Sequence, residues 1–108
     1  MPITWENKKT DSLVEAVLAL KNPTEAKNFL RDLLTAPEIN EFGNRWQAAQ
    51  MLDLNISYST IRGKTGLSPR TIARISTWLK KGMGGYQLII KRLNKHHHNS
   101  ASVRKGLS

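Results

Sequence analysis

Arg70, Thr71, Arg74 and Thr77 are the residues whose types and spacing point most directly to chemistry. On a helix turning about 100° per residue, these four fall within about 120° of one another. Two guanidiniums and two hydroxyls on one face suit recognition of a polyanion with readable edges. Arginine binds guanine O6/N7 or phosphate, and threonine meets phosphate or a thymine methyl. Arg62, Lys64, Lys80 and Lys81 flank the set and would hold phosphate oxygens without reading sequence. The charge distribution agrees. All eight acidic residues lie between Glu6 and Asp53, whereas residues 54–108 carry eleven Lys/Arg and no carboxylate. A half-chain of one sign attracts polyanions, and double-stranded DNA is the expected partner.

The element that must position these side chains is a helix-turn-helix from Ser57 to Lys80. Such a unit needs a short first helix, a tight turn opened by glycine and a second helix packed across the first. Gly66 supplies the left-handed backbone of the turn, and Leu67 plugs the angle behind it. Ser68 caps the second helix and Pro69 fits its first position, so both stand at the end facing the nucleic acid. Ile61 faces back from the first helix, and Ile72, Ile75 and Leu79 face back from the second. Two positions depart from the general pattern. Arg62 stands where a small residue is usual, and Thr65 where an apolar one is usual.

The rest of the chain also reads as helix. Leu13, Val17 and Leu20 form a stripe that Val14 and Leu18 widen, ended by Asn22-Pro23. Asn22, Pro23 and Glu25 open the next helix, with Ala26, Phe29, Leu30, Leu33 and Leu34 on its apolar face. Thr35 to Glu38 is a capping box for a long helix marked by Ile39, Phe42, Trp46, Ala49 and Leu52, which Asn55 stops. Short helices are expected at Tyr58 to Thr65 and Pro69 to Lys81, then a break at Gly82, Gly84 and Gly85. A last amphipathic segment runs from Tyr86 to Leu93. The expected organisation is one helical domain over 1–94 and a basic, flexible tail over 95–108. The first helices are apolar on too many sides for a thin monomer, so a partner subunit is expected to cover them.

The stretch from Leu33 to Lys80 resembles the Trp repressor family, and within it the YerC/YecD-like branch. Leu33-Leu34-Thr35, Gly43-x-Arg45, Ser57, Gly66, Thr71-Ile72, Arg74, Ser76 and Leu79-Lys80 fall at the family's spacing without a gap. A basic residue at the position of Arg62 is itself usual there. The resemblance implies an all-α, six-helix fold, an intertwined homodimer and transcriptional repression. It also implies an effector pocket. Arg45 and Arg74 match the two arginines that flank tryptophan in the amino-acid-sensing repressor, and Thr35 matches a threonine that touches it. Ile75 stands where that pocket has a glycine, so the expectation is that tryptophan is not the corepressor and the effector, if one exists, is unknown.

Other functions find little support. No Ser/His/Asp, Cys/His or paired-carboxylate arrangement appears and no phosphate loop, so neither an enzyme nor a cofactor is expected. His96-His97-His98 cannot share one helical face and reads as tail rather than a metal site. The absence of cysteine suits a reducing compartment, and a cytoplasmic, nucleoid-associated location is expected. The most apolar stretch, Leu13 to Leu20, contains Glu15 and is far short of the roughly 20 residues of a membrane span. Trp5, Trp46 and Trp78 read as core or interface residues, with Trp78 flanking the basic face. The competing function is a charge-driven RNA- or ribosome-binding accessory protein without sequence readout.

Overall fold

A computed structural model describes residues 4–95 of the chain; Lys95, expected as the first tail residue, is helical, and the rest of the expected tail with its histidines at 96–98 lies outside the described residues. Within them are six helices and no strand. They are α1 (Lys8–Ala19), α2 (Pro23–Leu33), α3 (Ala36–Asp53), α4 (Tyr58–Thr65), α5 (Pro69–Lys81) and α6 (85–95). No helix among the described residues is long and apolar enough to cross a membrane. The chain divides into two compact units, with the boundary inside α3 between Asn40 and Glu41.

In the first unit, local capping fixes the helices. The Asn7 side chain accepts the N–H groups of Lys9 and Thr10, while the Thr10 hydroxyl oxygen accepts the Asn7 N–H. Asn22 accepts the Glu25 N–H at 2.9 Å, with Pro23 at the first helical position. Thr35 and Glu38 form the expected reciprocal box that opens α3. What these helices lack is a core of their own, since neither α1 nor α2 has a buried residue. Val14, Val17 and Leu18 are 53%, 50% and 79% exposed, and Leu30 and Leu33 are also exposed.

The second unit has a core. Ala48 and Ala49 of α3, Ile61 of α4, Leu67 of the turn, Ile72, Ile75 and Leu79 of α5, and Ile90 of α6 are buried in one cluster. Trp46 and Tyr86 stack at its edge, their ring centroids 6.2 Å apart. Helix α3 ends where Asn55 takes a left-handed φ of 60°. There the Asn55 and Ile56 N–H groups return to the carbonyls of Leu52 and Met51, satisfying acceptors that the helix end leaves free. The Gln87 amide donates to the Leu79 carbonyl, tying α6 to the end of α5.

Candidate nucleic-acid interface

The segment from Ser57 to Lys80 folds as two short helices around a tight turn. The Ser57 hydroxyl accepts the Thr60 N–H and starts α4, and Gly66 ends it at φ 72°. A side chain at that φ would meet its own carbonyl, which is why glycine belongs there. Ser68 Oγ accepts the Thr71 N–H at 3.1 Å and starts α5. Thr65, out of place in an apolar position by sequence, is buried with its polar needs met. Its hydroxyl donates to the Ile61 carbonyl at 2.7 Å and accepts the Leu67 N–H at 3.2 Å. The threonine therefore fastens the turn rather than burying an unsatisfied group.

Helix α5 is two-sided. Ile72 and Ile75 are fully buried, and Ser76 and Leu79 nearly so. Arg70, Ala73, Arg74, Thr77, Trp78, Lys80 and Lys81 are exposed. Arg70, Arg74, Thr77 and Lys81 lie within about 60° on the side opposite the core. Thr71 departs from this row. It is half-buried, and its hydroxyl lies 3.0 Å from Ser68 Oγ, so it serves the helix cap. Ala73 was missed by the reading of the sequence, although it sits three residues after Arg70 and four before Thr77. Arg62 and Lys64 are exposed on α4, and Lys80 shares an open cleft of about 210 Å³ with Tyr58 and Asn55.

The electrostatics are simple. Among the described residues the only ion pair joins Arg45 to Glu41 at 3.4 Å, one turn apart on α3. The cations of α4 and α5 therefore have no carboxylate partner there. Neither helix has an acidic residue in its first turn, and both carry basic residues in the last. The described residues also hold no cluster of His, Cys, Asp or Glu that could bind a metal ion.

A two-helix unit of this geometry, carried between a long preceding helix and a following one, can be compared with known proteins. The profile of the Trp repressor protein family matches residues 8–94. The chain belongs to the Trp repressor family. YerC of Bacillus subtilis (strain 168), itself uncharacterised, is 33% identical over 95 residues, covering 88% of this chain and 91% of YerC. Two solved structures are similar, each at 35% identity and covering 82% of this chain. A candidate Trp repressor from Staphylococcus aureus superposes with TM-score 0.77 over 89% of its own chain. A TrpR-like protein from Eubacterium eligens superposes with TM-score 0.78 over 92% of its chain. The Trp repressor family is one of regulators, not enzymes.

Three of the four residues matched to an effector pocket, Thr35, Arg45 and Ile75, make other contacts. Thr35 caps α3 and donates its hydroxyl to Glu38 at 2.9 Å. Those contacts, the Thr35 backbone N–H first, hold the Glu38 carboxyl below its ordinary pKa. Arg45 is paired with Glu41 and Arg74 is exposed. Ile75 is 0% exposed in the core cluster with Ile61, Ile72 and Leu79.

Proposed function

We propose that the protein is a homodimeric transcriptional regulator that binds double-stranded DNA in a sequence-specific way, as a repressor, with α5 in the major groove. The observation that carries this reading is the outward row of α5. Arg70 and Arg74 are exposed and without a carboxylate partner among the described residues, on a helix whose other side is fixed by Ile72, Ile75 and Leu79. A rigid helix with free arginines can read base edges, whereas mobile cations read only charge. Arg62, Lys64, Lys80 and Lys81 hold phosphates, and the N-terminal end of α5 at Ser68 and Pro69 points its dipole toward them. The bare apolar faces of α1 and α2 support a second copy as their cover. The protein then works in the cytoplasm, on the nucleoid.

The buried Ile75 supports a further part of the reading: DNA binding needs no tryptophan. An isoleucine that already packs α5 from behind does what a ligand would do in a pocket floored by glycine.

Selection of bound fragments from random duplex DNA tests the proposal. A recurring site with half-sites centred about 34 Å apart is expected from a helix-turn-helix dimer. Arg70→Ala or Arg74→Ala should cut preference for that site by about 1–3 kcal/mol. Lys80→Ala should weaken all duplexes alike and lower the salt slope by about one. Equal losses on every sequence for all three variants would establish a charge-driven binder of RNA or DNA instead.

A further inference from the structure

Beside its arginines, α5 carries a small apolar step. Ala73 is exposed, and Thr77 one turn later is exposed too. The Thr77 hydroxyl donates to the Ala73 carbonyl oxygen at 3.1 Å. This is the local back-bond that threonine makes inside helices, and it uses the hydroxyl's one proton. What Thr77 then offers outward is its γ-methyl, with a hydroxyl oxygen left only to accept. Ala73 and Thr77 lie about 40° apart around the helix, and Arg74 stands between them along the axis, about 60° from Thr77. Two methyl groups therefore sit next to a free guanidinium on the surface assigned to the major groove.

The base edges of that groove present donors, acceptors and a single apolar group, the C5-methyl of thymine. We propose that Ala73 and Thr77 form a methyl-reading patch that selects thymine beside the base contacted by Arg74. The inference rests on the reading of α5 as the recognition helix and adds which base this part of the helix prefers. A threonine with a free hydroxyl proton would accept several bases, because every pair offers an acceptor in the major groove. With its proton committed to Ala73, Thr77 discriminates through methyl contact. Removing one methyl group from water is worth about 0.8 kcal/mol, or about fourfold in affinity.

The test uses the full chain and the duplex it selects from random DNA. Each thymine is replaced in turn by uracil, which lacks only the C5-methyl. One thymine in each half-site, next to the base whose readout is lost in Arg74→Ala, should weaken binding about fourfold when replaced. Thr77→Ser keeps the hydroxyl and its back-bond but lacks the methyl, and should bring the thymine-to-uracil ratio towards one. Thr77→Val keeps a methyl there and should retain the ratio. Circular dichroism establishes that both variants fold. If the chain selects a defined duplex but no thymine is sensitive to loss of its methyl, or Thr77→Ser keeps the parent ratio, the methyl patch is refuted while sequence reading stands. If no duplex is enriched over bulk DNA, sequence reading by α5 fails and takes the methyl patch with it.

Discussion

Ile75→Ala separates packing from chemistry on the helix assigned to DNA. Ile75 is 0% exposed and packs among Ile61, Ile72, Leu79 and the two alanines of α3. Truncation removes three carbons, or about 2.4 kcal/mol of transfer free energy at about 0.8 kcal/mol each. The cavity left behind adds to this and brings the loss into the range of about 2–5 kcal/mol. Alanine has the highest helix propensity, so the backbone contributes nothing to the loss. In urea, with a slope of about 2 kcal/mol/M, a loss of about 3 kcal/mol moves the midpoint down by about 1.5 M. Parent and variant are compared at one protein concentration, because the stability of the proposed dimer depends on it. Below the transition, Ile75→Ala should lose preference for the selected duplex more than it loses affinity for bulk DNA. Its arginines remain, but the helix that aims them is looser. A midpoint shift equivalent to less than about 1 kcal/mol would refute the assignment of Ile75 as a core residue. Unchanged site preference despite a large stability loss would refute the link between packing and reading.

Millimolar tryptophan should give no saturable heat in calorimetry and no change in DNA affinity; a tenfold rise, about 1.4 kcal/mol, would show that the indole finds a site despite Ile75. Sedimentation at micromolar concentration should give the mass of a dimer, and a monomer across that range would remove the proposed cover for α1 and α2. Because the Glu38 carboxyl is held below its ordinary value of 4.5, mainly by the Thr35 N–H, the stability it contributes is complete above that value and lost as pH falls through the depressed folded one. Glu38→Gln should therefore flatten the acid limb of a stability profile measured by denaturation, and an acid limb unchanged from the parent would assign that limb to other carboxylates.

Much of the helix-turn-helix was legible because its punctuation is local. Ser57, Gly66 and the Ser68-Pro69 pair mark the ends of α4 and α5, and each does so by a bond to its own neighbours. The start of α1 was less legible. Its apolar stripe begins at Leu13, but Asn7 caps the helix with Thr10 standing where a capping box usually has Glu or Gln. At the other end, Gly85 read as a break and instead belongs to α6. The hydroxyls were least legible of all. Thr65, Thr71 and Thr77 all bond locally, to the Ile61 carbonyl, the Ser68 cap and the Ala73 carbonyl. Nothing in residue type or spacing distinguishes these from outward hydroxyls, because the choice is made by side-chain rotamer and burial.

The placement of acids along the chain makes sense only when the helices are compared. A carboxylate in a first turn favours a helix by about 0.3–1 kcal/mol through the helix dipole. Helices α1, α2 and α3 each have one, in Asp11, Glu25 and Glu38. Helices α4 and α5 have none, although α4, at eight residues, is the shortest and has the most to gain; α6 has none either. Helix stability alone favours an acid in both first turns, and the proposed contact with a polyanion is a demand that opposes it. A carboxylate in the first turn would meet the positive end of the helix itself and repel any phosphate brought there. Leaving the first turn without an acid keeps the dipole, and the N–H groups that Ser57 and Ser68 do not cap, available to an anion from outside. The same demand accounts for the absence of every acid after Asp53 while eleven Lys/Arg accumulate. A solvated basic surface with no polyanion to meet gives no reason for two serine-capped helices to lack an acid in the first turn.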